Sequence, residues 1–113
     1  NKLNSEIVAN IDSLIEVGNE ISISGWGYIP NENAVYSDTY IELSGIDKKY
    51  EFLLNRNSRP DLKQFTNGKH ITLSGFVGRI HKSDISPGKY KVSIIINNNG
   101  VVGKKTMQNE YEL

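Results

Sequence analysis

Ile21-Ser22-Ile23-Ser24-Gly25-Trp26, Ile41-Glu42-Leu43-Ser44-Gly45-Ile46 and Ile71-Thr72-Leu73-Ser74-Gly75-Phe76 repeat one phrase: apolar, polar, apolar, Ser, Gly, large apolar. Alternation with a period of two marks a strand with one buried face, and a glycine inside such a run permits a bulge or sharp bend. Copies one and three are the closer pair, because Gly18 to Trp26 aligns with Gly68 to Phe76. Trp26 and Phe76 fall out of step with the aliphatics before them. The phrase therefore predicts a bulge or bend at Gly25 and at Gly75 that turns both rings into the core.

Working outward, residues 6–17 read as a strand broken near Asp12 and Ser13. Ile7, Ala9 and Ile11 alternate, although Ile7, Ile11, Leu14 and Ile15 also fit helical spacing. The next strand runs to Tyr28 and ends at Pro30, which cannot donate to a ladder. Residues 31–38 read as a loop. Tyr40 to Leu43 and Tyr50 to Leu54 form a hairpin about Gly45 to Lys48, and residues 55–68 form the one long connection, with Pro60 excluding a central strand. Ile71, Leu73 and Val77 make the next strand. Ser86-Pro87-Gly88 turns the chain into Tyr90, Val92, Ile94 and Ile96. Asn99-Gly100 fits a two-residue hairpin turn and folds 101–107 back as an edge strand open to pairing. About seven antiparallel strands without a long helix predict an all-β, immunoglobulin-like sandwich, with a closed barrel as the alternative.

The chain has 113 residues, one domain's worth, and begins at Asn1 without Met, so residues 1–113 read as a single sandwich domain excised from a larger protein. Thirteen basic residues balance thirteen acidic ones, and neither sign is concentrated in one stretch. A nucleic-acid partner is not expected. Cysteine is absent, which excludes disulfides and thiol chemistry. Apolar runs are too short for a membrane span, so direct membrane insertion by this segment is not expected.

His70 and His81 lie at no ligand spacing, and the carboxylates form neither a calcium loop nor a distinguishable acid–base pair. Ser24, Ser44 and Ser74 lack a matching His. No catalytic residue, metal or cofactor is expected. The aromatics carry more weight. Trp26, Tyr28, Tyr36 and Tyr40 could line a face on which sugar rings stack, against the reading that Trp26 fills the space between two sheets. Arg59 and Asp61 could hydrogen-bond to sugar hydroxyls. The preferred reading of Arg59-Pro60-Asp61 is an internal clamp that ties the long connection to the sandwich.

Taken in order, Ile11-Asp12, Gly25-Trp26, Arg59-Pro60-Asp61, Ser74-Gly75-Phe76 and Pro87-Gly88-Lys89-Tyr90 resemble a β-sandwich accessory domain of bacterial cell-envelope proteins. Such domains are attached to glycosyltransferases or polytopic membrane proteins of surface-polysaccharide assembly. The resemblance spans Ile11 to Ile96 and departs where Gly27-Tyr28 follows the Trp. It implies an extracytoplasmic or cell-envelope-associated module without catalysis, whose partners are neighbouring domains of the parent protein. Gly25, Trp26, Arg59, Pro60, Asp61, Gly75, Phe76, Gly88 and Tyr90 then have structural roles. The alternative is a carbohydrate-binding module whose partner is a cell-surface glycan.

Overall fold

The computed structural model describes residues 2–65 and 70–113, with residues 2–5 described by their backbone alone, so Gly68 lies outside the described residues. The fold is all-β. Its strands are β1 (Lys2–Ser5), β2 (Val8–Val17), β3 (Glu20–Tyr28), β4 (Ser37–Ser44), β5 (Lys49–Leu53), β6 (Asn55–Asn57), β7 (Gly75–His81), β8 (Lys89–Asn98), β9 (Val101–Thr106) and β10 (Tyr111–Glu112). One sheet has the order β1-β9-β8-β4-β5, with β10 pairing on β8; the other has the order β2-β3-β7-β6. Neighbours run antiparallel except β1, which lies parallel to β9. The additions to the seven strands legible in the sequence are β1, β6 and β10, which are only 4, 3 and 2 residues long.

Alternating side chains of the two sheets meet in one core. Ile21 and Ile23 of β3 and Phe76 and Ile80 of β7 are buried there with Ile41 and Leu43 of β4 and Val92, Ile94 and Ile96 of β8. Each such side chain contributes about 1.5–3 kcal/mol when fully buried. Glycines let the layers approach. A Cβ on Gly27 would stand 3.2 Å from Ile96 Cδ1, and one on Gly78 would stand 2.6 Å from Leu54 Cδ2. Asn99 and Gly100 have φ of 52° and 96° and close the β8–β9 hairpin between Asn98 and Val101. That positive-φ pair is what a tight hairpin with right-handed twist requires.

Four readings of the sequence need correction. Ile71 and Leu73 are not in a strand: His70 has a left-handed φ of 56°, and Ile71–Leu73 is a single 3-10 turn closed by the Ser74 N–H on the Ile71 carbonyl. The phase of β7 is therefore set at Gly75, and Phe76, Gly78 and Ile80 share the inward face without any bulge. The expected bulges at Gly25 and Gly75 do not form, since the β3–β7 ladder runs regularly through Gly25↔Phe76 and Trp26↔Gly75. The extra residue lies on β2, where Ile11 pairs with Gly25 and Ser13 with Ser24, leaving Asp12 over. Trp26 consequently keeps the phase of Ser22 and Ser24 and projects away from the space between the sheets. The 31–38 stretch is not wholly loop, because Ala34–Tyr36 forms a 3-10 turn and β4 begins at Ser37. Finally, 101–107 is not an open edge, because β1 covers β9.

Candidate functional site

The β2 bulge delivers Asp12 to the guanidinium of Arg59. Arg59 Nη1 lies 2.5 Å from Asp12 Oδ2, while Nε and Nη2 reach Asp61 Oδ1 and Oδ2 at 3.0 and 2.9 Å. Pro60 starts the 3-10 turn Pro60–Gln64 that brings Asp61 back under Arg59, and buries Leu62 beneath it. The backbone is tied as well, since Arg59 N–H donates to the Thr72 carbonyl at 2.6 Å. Gly75 is the seat of this arrangement: a Cβ there would overlap Asn57 Oδ1 and stand 2.5 Å from Arg59 Cγ. The Arg59 hydrogen bonds hold the Asp61 carboxyl below the usual carboxylate range, and those to Asp61 and then Asp12 strengthen the hold of Arg59 on its proton. Asp61 is 59% exposed and Asp12 37%, so the Asp12 contact is the better sheltered of the two.

Beside this clamp lies a second, smaller cluster on the outer face of the β2-β3-β7-β6 sheet. Tyr28, Ala34 and Ile71 are buried in it, with Val8, Trp26 and Phe65 packed around them. Trp26 stacks on Tyr28 at 6.3 Å between centroids, and Phe65 approaches the two rings at 5.4 and 6.1 Å. The three rings occupy one another. Tyr28 is only 1% exposed, whereas Tyr36 is 62% exposed on its 3-10 turn. Tyr40 belongs to β4, on the other sheet. The expected aromatic platform of Trp26, Tyr28, Tyr36 and Tyr40 is thus not one surface.

A third locus closes the β7–β8 corner. The Tyr90 hydroxyl donates to the Ser86 carbonyl, and the Tyr50 hydroxyl accepts from the Ser86 N–H at 3.1 Å and donates to Ser86 Oγ at 3.2 Å. The two rings meet edge to face at 5.9 Å, and Lys48 Nζ adds a 2.9 Å hydrogen bond to Ser86 Oγ. Burial pushes the Tyr90 hydroxyl pKa up; the Ser86 hydrogen bonds pull that of Tyr50 down. Gly88 takes part through its backbone, exchanging hydrogen bonds with Leu113 at 2.9 and 3.1 Å.

Sequence reasoning missed Phe65, Tyr50 and Ser86. Phe65 could have been suspected as the one aromatic ring of the 55–68 connection, but nothing in the sequence pairs Tyr50 with Ser86, which are 36 positions apart. Among the described residues, no three His, Asp or Glu side chains gather in a way that could hold a metal ion. No helix among them is long and apolar enough to cross a membrane. Fold and geometry together define a two-sheet β-sandwich whose motif residues grip one another. Comparison with protein-family models, curated proteins and solved structures returns no match for this chain.

Proposed function

We propose that the chain is a non-catalytic, immunoglobulin-like accessory module of a larger bacterial envelope protein, which spaces, orients or docks a neighbouring domain outside the cytoplasm. The immunoglobulin-like assignment is supported by strand order. The sheet β2-β3-β7-β6 corresponds to strands A, B, E and D of that architecture, and β9-β8-β4-β5 to G, F, C and C′. Tyr90 adds to this. It stands at the start of the strand corresponding to F, and its hydroxyl reaches back four residues to a backbone carbonyl, as the tyrosine corner of these domains does. The usual inter-sheet disulfide and its Trp have aliphatic replacements here, with Ile23, Ile41, Leu43 and Val92 in the core.

The observation that carries the non-catalytic reading is how the motif residues are used. Arg59 is held by Asp12 and Asp61, Trp26 stacks on Tyr28 and Phe65, and Tyr90 holds the β7–β8 corner. Groups so engaged build a scaffold rather than meet a substrate. Of Trp26, Tyr28, Tyr36 and Tyr40, the glycan-binding alternative keeps Tyr36 as its one exposed ring. The test is an antibody raised against the domain and applied to fractionated cells of the organism that carries the gene. The proposal expects an envelope-associated polypeptide much heavier than the 12.7 kDa of this chain. A cytosolic band of the chain's own mass would overturn it, and saturable binding on a glycan array would replace it with the alternative.

A further inference from the structure

A cleft of about 230 Å³ opens where the two sheets part, between the start of β4, the β5–β6 passage and the segment entering β7. It is smaller than the pockets that take drug-sized molecules. Leu54, Leu73 and Phe76 give it apolar walls, and Thr39, Arg56 and Ser74 also line it.

Two features of this cleft are unexplained by the scaffold. Ser74 is 6% exposed, and its hydroxyl is buried without a hydrogen-bond partner among the described residues. Leaving a buried hydroxyl unpaired costs about 1–3 kcal/mol. Arg56 is the second. It pairs with Phe76 across the β6–β7 ladder, on the inward face of an edge strand, and crosses to the other sheet to donate to the Ser37 carbonyl through Nη2. Among the described residues no carboxylate lies within ion-pair distance of it, in contrast to Arg59 and Arg79. Asp38 also borders the cleft, but strand alternation directs its side chain to the opposite face from Thr39, which shares the inward phase of Ile41 and Leu43.

We propose that the cleft between Arg56, Thr39 and Ser74 binds a small carboxylate-bearing molecule. An inward arginine on an edge strand also discourages strand-to-strand aggregation. That role accounts for the charge of Arg56 but not for the unpaired Ser74 hydroxyl. A carboxylate satisfies both. One oxygen accepts from the free N–H groups of the guanidinium, whose planar fork matches carboxylate geometry, and the hydroxyls of Ser74 and Thr39 serve the other oxygen or an adjacent polar group. Leu54, Leu73 and Phe76 border a compact carbon frame the size of a single sugar acid or amino acid. This inference is independent of the accessory-module reading, since the structural support for that reading is the strand order and the engagement of Arg59, Trp26 and Tyr90, none of which lines the cleft.

The test is an amide-correlation NMR titration of the whole 113-residue chain with sodium glucuronate at fixed ionic strength, with glucose and sodium chloride as parallel titrants. Glucuronate is expected to bind in the millimolar range and to move the amides of Gly27, Thr39, Arg56 and Gly75. Arg56→Gln, which keeps a donor for the Ser37 carbonyl, should weaken binding about tenfold or more, the loss expected for a charged hydrogen-bonded pair. Ser74→Ala should weaken it several-fold while leaving the melting temperature unchanged or raised, because it deletes an unsatisfied group. Equal shifts with glucose, unaltered binding by Arg56→Gln, or no saturable shift with glucuronate would each overturn the proposal. A fall in melting temperature for Ser74→Ala would count against it too, by showing that the hydroxyl has a structural partner.

Discussion

Gly25→Ala is the most informative single substitution in this sandwich. The new Cβ would overlap the carbonyl oxygen of Asn10 on β2 and stand 2.7 and 2.9 Å from Cζ and Cε1 of Phe76. The first neighbour is backbone in a ladder, next to the bulge at Asp12, and moves only if β2 moves. The second is a core ring buried at 1% exposure. Overpacking of this kind costs about 1–3 kcal/mol, and the backbone contact places Gly25→Ala at the upper end, about 2–3 kcal/mol. With an unfolding entropy of about 2.1 cal/mol/K per residue, a chain of this length loses roughly 10 °C in Tm. Urea unfolding followed by far-UV circular dichroism should show a lower midpoint and an unchanged slope. A double-mutant cycle with Phe76→Leu separates the two clashes: relief of the ring contact alone should recover less than half of the loss. A Gly25→Ala protein as stable as the parent would refute the claim that this glycine is required by the close approach of β2 and Phe76.

Gly78→Ala is the control, because the one close neighbour of its Cβ is Cδ2 at the far end of the Leu54 side chain rather than backbone, and it should cost less than about 1 kcal/mol in the same assay. Arg59→Ala should lower stability at neutral pH through loss of both the ion pairs and the packing of its stem on Gly75. The Asp61 carboxyl is depressed in the folded state, so its contribution is present above the ordinary value of 3.8 and is lost as pH falls through the lower folded value. The stability gap between parent and Arg59→Ala should therefore narrow in strong acid, and a gap independent of pH would show that packing alone is at work. Tyr90→Phe should unfold at a lower temperature near neutrality. Because the Tyr90 pKa is raised in the folded state, its contribution is fully present below the ordinary value of 10.0 and is lost as pH rises through the higher folded value, so the variant should also lose part of the alkaline sensitivity of the parent. Gly100→Ala, at a φ of 96°, should destabilise by about 1 kcal/mol or more, checked by thermal melting.

The sequence carried the strands that alternate cleanly and the turns with positive-φ residues. β3, β4, β8, β9 and the Asn99-Gly100 hairpin stand where period and turn chemistry put them. The break near Asp12 was legible too, because alternation changes phase there. What the sequence hid was decided by tertiary packing. Ile71 and Leu73 alternate like strand residues, yet the Thr72 carbonyl is taken by Arg59 and Ile71 is taken by the Tyr28 cluster, so local pattern lost to distant partners. Trp26 was misplaced for a related reason. Its face depends on whether β3 or β2 holds the extra residue, and both strands contain a plausible break. The candidate site was readable in composition only. Arg59-Pro60-Asp61 announces a clamp, but its third member, Asp12, lies 47 positions away, and the unpaired Arg56 and Ser74 have no local signature at all.

The parallel pairing of β1 with β9 has a mechanical consequence. β1 leads into the chain from one direction, while β9 and then β10 lead out along the opposite one, with Lys2 beside Val101 and Ser5 beside Gly103. Tension between the two ends would slide β1 along β9 instead of peeling it away, so the bonds between them share the load and must break together. Forced unfolding is governed by the unfolding barrier rather than by equilibrium stability. A sandwich of ordinary thermal stability could by this arrangement resist extension far better than its melting temperature suggests.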